Sequence, residues 1–405
     1  MASFTTTRQL DKSPVLVIGA GVGGLAVALA LAQQKLEVRV LEQLEGGGDE
    51  SAGLQLAPNA LAACEALGVT ESLAGRAIYP DAALVMDATD RSTLARIALG
   101  AALRNRFGHP YALLQRSDLR AALLDSVRTH ANIEVLRSVQ IVSVHQYNHC
   151  VTLVDSKDYT YSGAIAVASD GAQSAIRAQL IGDSLRPSGD IVYRGVLRVQ
   201  EFNSELRSNG PVLWVAPRHH LLHYPVRSGE KFNFVLSCKN PGHAEPDVSD
   251  GSRDEMLAHL EATSTFPREF ADLLGSKRRW TLVDREPLAR WTFGRVTLLG
   301  DAAHPMLPHI AQGACMALED AVTLGNAVRL KRSNLPEALE IYNRARNTRT
   351  ARAVLTARQL GEVYNAANEE RETRNQRWRQ RTQAQLYDEL AWLYGWTPEQ
   401  CLAGT

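Results

Sequence analysis

Three clusters in this 405-residue chain have residue types and spacing that could do chemistry. The first is Gly19-Ala-Gly21-Val-Gly-Gly24, a GxGxxG sequence. In such a unit Gly19 permits a tight turn, Gly21 lets backbone approach a pyrophosphate, and Gly24 lets helix and strand pack closely. The N–H groups at the start of the next helix face the anion. Glu42 follows at about the 20-residue distance that places an acid on an adenosine ribose. The second cluster is Ser169-Asp170-Gly171 and the third is Gly300-Asp301-Ala-Ala-His304-Pro305. Sulfur offers less. Cys64, Cys150, Cys238, Cys315 and Cys401 lie far apart with no CxxC pair. Neither a zinc site nor a redox dithiol is indicated, and sparse, odd cysteines fit a reducing cytoplasm.

These clusters need elements to hold them. Residues 15–18 form a short β-branched run suited to a buried parallel strand. From Leu25 the residues are good helix formers, and 38–41 is a second apolar run ending at Glu42. The order is strand, glycine turn, helix, strand, acid. Residues 14–34 carry no charge, which by length alone reads as a membrane span. Four glycines among residues 19–24 argue against one continuous helix, since each costs about 1 kcal/mol there.

Further on, 44–55 is Gly-rich and polar and reads as a loop, while 58–67 and 117–127 read as helices. Residues 134–144, 151–154 and 164–168 read as strands, the last running into Asp170-Gly171. Short alternating runs at 193–199, 212–215, 221–226, 232–237 and 280–282 predict an antiparallel sheet, with one helix near 253–263. Residues 295–300 return to a buried strand, followed by helices over 314–331 and 335–364 and a polar helix ending near Trp396. The Arg-rich tract 369–381 reads first as a solvated helix face, with substrate gating or partner binding as the other reading.

Composition bounds the partners. Forty-four acidic side chains balance 44 basic ones, so no global field holds a phosphate backbone or an anionic membrane. Apolar residues at 45% and charged ones at 22% indicate an ordinary folded protein. The length predicts more than one core.

In Gly300-Asp301, an acid between strand and helix can bind a ribityl hydroxyl, with the helix N-terminus facing a flavin. Together with GxGxxG and Asp170-Gly171, this closely resembles the FAD-dependent aromatic hydroxylases of the para-hydroxybenzoate hydroxylase type, over nearly the whole chain. The resemblance implies an α/β fold. A Rossmann-like FAD-binding domain (1–185 and 285–365) would be interrupted by an antiparallel-sheet substrate domain (186–284) and followed by a C-terminal helical segment (366–405). It assigns Gly19, Gly21, Gly24 and Glu42 to the ADP part of FAD, and Gly300, Asp301 and Gly313 to the flavin side. Arg116 matches the arginine that contacts the cofactor, and Asp170-Gly171 is linked to both FAD and the nicotinamide. Where the family has Gly-Ala-Gly, this chain has Ser51-Ala52-Gly53.

Within the family the likeness is to enzymes acting on small aromatic acids. Residues 217–225 and Asp284-Arg-Glu-Pro287 are similar to 3-hydroxybenzoate 6-hydroxylases, and Pro308-His309 to salicylate hydroxylases. Residues 312–317 are similar to 6-hydroxynicotinate 3-monooxygenases, so decarboxylative hydroxylation of a pyridine acid is the alternative. The implied cycle uses NADH or NADPH to reduce FAD, and O2 to form a C4a-hydroperoxyflavin that hydroxylates the ring. The expected assembly is a monomer or homodimer. The missing cysteine pair excludes a disulfide reductase. A halogenase would need a lysine and a Trp-rich motif not found here, leaving a non-catalytic flavoprotein as the rival.

Hydroxylation needs an electron-rich ring, so a phenol must move toward phenolate. Full transfer from a phenol to an ordinary histidine would cost about 5 kcal/mol, from about 3.5 pKa units. The base must share the proton, or the site must lower the phenol's pKa. His220 and Tyr224 are four apart on a predicted strand and so share one face. They are candidates with His309, which follows the turn at Pro308. His219 and His223 take the opposite face as structural or surface groups, and His304 is structural near the flavin. Arg194 and Arg218 are candidates for the substrate carboxylate, and Gln55 for a polar contact. No metal site is expected.

Overall fold

The computed structural model describes residues 13–46, 52–201, 204–240, 248–260, 263, 265–274 and 277–403. Ser51 lies outside them. The GxGxxG region folds as its pattern dictates. The strand Val15–Ile18 is fully buried and pairs in parallel with Val38–Glu42 on one side and Ala166–Ala168 on the other. A six-stranded sheet results, with Ile133–Arg137 at one edge and Val296–Leu298 and Thr292–Phe293 at the other. All three glycine-bearing motifs therefore leave neighbouring parallel strands at the same end. That is where ligands bind in open α/β sheets.

The helix Val22–Gln33 explains the uncharged stretch. It is buried nearly all round, from Val22 to Ala32. Such a helix must be sheathed, and helices Arg116–Arg128 and Gly313–Leu330 pack on it beside the sheet. A side chain at Gly325 would stand 2.9 Å from Ala30 Cβ, so glycine allows the close crossing. Among the described residues, no helix is long and apolar enough to cross a membrane.

The predicted antiparallel sheet is present and larger than its sequence signal. Eight strands run in the order Val248–Gly251, Lys277–Asp284, Arg186–Arg198, Lys231–Lys239, His219–Val226, Val212–Ala216, Ala82–Asp87, Thr93–Ala98. The last two come from outside 186–284, and Val212–Ala216 pairs with Ala82–Asp87 in parallel. The sheet is thus mixed at one junction. Its outer face carries Trp214, Leu221 and Phe234, packed with Phe270 of helix Thr265–Leu274 beside helix Arg253–His259. Its inner face turns toward the parallel sheet.

Two sequence readings are revised. Gln55 lies in a strand, Gly53–Leu56, paired with Ala112–Gln115 rather than in a loop. The Arg-rich tract is not simply a solvated face. It forms Asn368–Gln380, a second helix Gln383–Tyr394 follows, and Arg374 and Asn375 are buried. Arg374 donates to the carbonyls of Val363 and Tyr364, terminating the long helix Leu335–Tyr364. Arg371 and Asn375 both reach the fully buried carboxylate of Asp87 at 2.7 Å. These contacts pin the C-terminal helix to the sheet hairpin beside the cavity.

Candidate active site

A cavity of about 1110 Å³ opens between the two sheets. One end is built by the glycine motifs. Gly19 has φ +95, and a Cβ on Gly24 would lie 1.9 Å from the Gly19 carbonyl oxygen, so both positions require glycine. A Cβ on Gly21 or Gly171 would meet nothing within 4 Å, and both residues line the cavity. Arg116, Gly300, Asp301 and Gly313 line the same end. Open backbone at a helix start, an arginine and an exposed carboxylate facing one elongated space fit a flavin dinucleotide.

Glu42 and Asp170 adjoin the glycine turns without lining the cavity themselves. Glu42 accepts the N–H of Ala20 at 2.6 Å on one oxygen and that of Leu44 at 2.8 Å on the other. It fixes the glycine turn and keeps lone pairs for a further donor. Burial raises the Asp170 carboxyl, and its Oδ1 has no hydrogen-bond partner among the described residues.

A buried ionic network holds the third motif. The Gly300 N–H donates to Asp320 Oδ2 at 3.0 Å, and His304 Nε2 lies 2.6 Å from the same oxygen. Arg346 donates to the other oxygen at 2.7 Å. Burial alone would raise the Asp320 carboxyl, but His304 and Arg346 outweigh it and hold it at about 2. Glu319, one residue earlier, joins Arg346, Arg349 and Asn59, and Asn59 also donates to Gln312 at 2.9 Å. His304, expected to be structural, is buried within this network.

The other end of the cavity carries the acid–base groups. His220 and Tyr224 face it together from strand His219–Val226. His219 and His223 face away and are buried, with His223 stacked 5.5 Å from Phe234. His220 Nδ1 lies 2.9 Å from Asn365 Oδ1, and its ring centre 5.1 Å from that of His309. Burial, reinforced by His309, pushes His220 down to about 3. His220 is therefore neutral near pH 7. Burial raises the Tyr224 phenol, against opposing effects of Arg194 and Gln55, so Tyr224 stays a donor.

Gln55 also lines this end, and its Oε1 accepts from the Tyr111 hydroxyl at 2.7 Å. The N–H of Gly53 donates to Asn233 Oδ1 at 2.8 Å, joining the flavin-side strand to the substrate sheet. Arg194 lines the cavity; its guanidinium stands 5.9 Å from the Trp280 ring. Pro308 lines it too, opening the short turn Pro308–Ile310 that carries His309. Arg218 does not join them. It is exposed at a hairpin turn with φ +67, and the strand's inward-facing positions begin only at His220. Pairing strands at 212–216 and 219–226 puts 217–218 at the turn, outside the cavity.

Sequence reasoning missed Tyr111, Asn233, Tyr364 and Asn365. Tyr364 and Asn365 end a 30-residue helix, and nothing in a single sequence marks which helix end meets a distant strand. Asn233 carried the weaker signal of a polar residue on the inward face of an apolar strand.

The FAD binding domain family matches residues 12–357. The chain is 43% identical to 3-hydroxybenzoate 6-hydroxylase of Polaromonas naphthalenivorans (strain CJ2), covering 96% of this chain and 98% of that protein. It is 41% identical to 3-hydroxybenzoate 6-hydroxylase of Klebsiella oxytoca, over 96% and 98%. Klebsiella pneumoniae HpxO, solved with FAD and uric acid, superposes with a TM-score of 0.83 at 24% identity, covering 95% of this chain and 97% of that one. With flavin-fitting backbone at one end of its cavity and acid–base groups at the other, this chain belongs to the FAD binding domain family as a flavoprotein aromatic hydroxylase.

Proposed function

We propose that the protein hydroxylates 3-hydroxybenzoate at the position para to its hydroxyl group, using NADH or NADPH and O2. The observation that carries this reading is the convergence of His220, Tyr224, His309, Gln55 and Arg194 on the cavity that Gly21, Arg116 and Asp301 also line. Bound FAD would supply the hydride acceptance and oxygen activation. Gly21, Gly171 and the turn at Gly300 would hold it, with Asp301 on its ribityl chain and Arg116 against it.

The side chains at the far end position and activate the ring. Nδ1 of His220 donates to Asn365, so neutral His220 presents Nε2 as an acceptor. His309 lies beside it, and the two share the proton of the substrate's hydroxyl group. Tyr224 stays protonated and donates to the substrate. Arg194, close enough to act on Tyr224 electrostatically, anchors the carboxylate. Apolar side chains such as Leu222, Val235 and Leu307 keep water away. The relatives named 3-hydroxybenzoate 6-hydroxylase support this substrate over the salicylate and 6-hydroxynicotinate readings. A panel of 3-hydroxybenzoate, salicylate, 4-hydroxybenzoate and 6-hydroxynicotinate tests it by product identity. The expected product is 2,5-dihydroxybenzoate from the first; hydroxylation of another member alone would replace the reading.

A further inference from the structure

A proton taken into this cavity needs a way out. The His309 side chain is 1% exposed, and neither ring nitrogen has a hydrogen-bond partner among the described residues. Its ring position is set by Gly361, where a Cβ would stand 2.7 Å from His309 Cδ2. Nε2 lies 3.8 Å from Asp190 Oδ2. Asp190 is buried in strand Arg186–Arg198, and its registered cross-strand partner is Lys239. Lys239 Nζ lies 3.2 Å from Asp190 Oδ1 and 2.5 Å from Glu362 Oε1. Glu362 is 73% exposed. The four groups run from the cavity to the surface without a break longer than 3.8 Å.

A buried ion pair is weak support for stability, so Asp190 and Lys239 need another reason to be there. The step from His309 to Asp190 is longer than a hydrogen bond, and Asp190 Oδ1 meets Lys239 as an ion pair rather than a hydrogen bond, so both links must shorten or align before a proton passes. The titratable groups around the route are few. His220 and Tyr364 flank the His309 ring at 5.1 and 6.2 Å, and Cys238 and His220 both lie within the field of Asp190.

We propose that Asp190, Lys239 and Glu362 carry to solvent the proton that His309 takes from the substrate. The proposal rests on His309 acting as that acceptor. One proton moves at each step: from the substrate O–H to a ring nitrogen of His309, and from His309 N–H to the Asp190 carboxylate. Lys239 then gives one N–H proton to Glu362 and takes one from Asp190. Glu362 releases its proton to water. No electrons move, and the net change is a bound phenolate and a proton in solution. Asp190 is a positioning and relay group, not one that touches the substrate.

The test is stopped-flow mixing of the FAD-loaded enzyme with 3-hydroxybenzoate in weakly buffered solution containing a pH indicator. The wild type should release a proton in step with substrate ionisation. Asp190→Asn and Lys239→Met should slow that release about tenfold or more while substrate affinity, read from the flavin spectrum, changes less than about threefold. Lys239→Arg keeps the charge but cannot pass a proton on, so it should slow release as Lys239→Met does, whereas full release with arginine would show that Lys239 only holds charge and would overturn the relay. His309→Ala should abolish the fast release. If His309→Ala abolishes it but Asp190→Asn and Lys239→Met do not slow it, the relay is wrong and His309 stands. If His309→Ala leaves release intact, the role of His309 falls and the relay with it. Should Asp190→Asn not fold, the Lys239→Met and Lys239→Arg pair decides.

Discussion

Asn365 presents its carboxamide oxygen to Nδ1 of His220 at 2.9 Å, and this contact decides which ring nitrogen faces the cavity. Burial holds His220 down at about 3, so the ring carries one proton near neutral pH. With the carboxamide oxygen as acceptor, that proton belongs on Nδ1, which leaves Nε2 the lone pair that the proposed reaction uses. Asn365→Leu frees the other tautomer. It should lower kcat about tenfold with KM changed less than about threefold, the pattern of lost orientation rather than lost binding. Steady-state kinetics with 3-hydroxybenzoate check it, and an unchanged kcat would contradict the role.

His309→Ala should slow hydroxylation or divert reduced flavin to hydrogen peroxide while FAD stays bound. The ring contacts His220 and Tyr364, not the glycine motifs, so cofactor retention should not change. Oxygen uptake with and without catalase measures the diversion. Full coupling at the wild-type rate would remove His309 from the mechanism.

Cofactor retention depends on the opposite end of the cavity. Gly24→Val places side-chain atoms inside the Gly19 carbonyl, at a position where Cβ alone would lie at 1.9 Å. This variant should be purified colourless or fail to fold. Asp301→Ala removes an exposed carboxylate while Gly300 stays tied to Asp320, so it should fold and lose FAD on gel filtration. A fully loaded Asp301→Ala protein would show that Asp301 does not hold the cofactor.

How far the sequence revealed these ends follows from the range of the contacts. The glycine motifs are local: Gly19, Gly24 and the strand at 15–18 act within one βαβ unit, and their pattern is readable by eye. The shared face of His220 and Tyr224 follows from strand alternation alone. The eight-stranded sheet was only partly legible. Strands at 82–98 join it through a parallel pairing that no local pattern encodes. Arg218 was a candidate for the substrate carboxylate by its charge, although a turn between paired strands leaves it exposed. The Arg-rich helix looked solvated because Asp87, its buried anchor, lies 284 residues away from Arg371.

Strand His219–Val226 also sets a pH limit on stability. Burial depresses His219 to about 4 and His220 and His223 to about 3, from 6.5. The folded protein therefore refuses protons that the unfolded chain accepts. Their full stability is present above pH 6.5 and falls as pH drops toward the folded values, by up to about 1.4 kcal/mol per pH unit for each histidine. Ordinary carboxylates enter only below about pH 5. The thermal midpoint should thus drop between pH 7 and 5.5. Equal midpoints at these two values would mean that the three histidines take up protons in the folded state.

As a hydroxylase, this cavity should place one atom of O2 on the ring of 3-hydroxybenzoate. The direct measurement is mass spectrometry of the product formed by the purified yellow enzyme with NADH, 3-hydroxybenzoate and ¹⁸O₂. The expected product is 2,5-dihydroxybenzoate carrying one heavy oxygen, with NADH and O2 consumed in equal amounts. NADH oxidation that yields only hydrogen peroxide, or a product without the label, would contradict it.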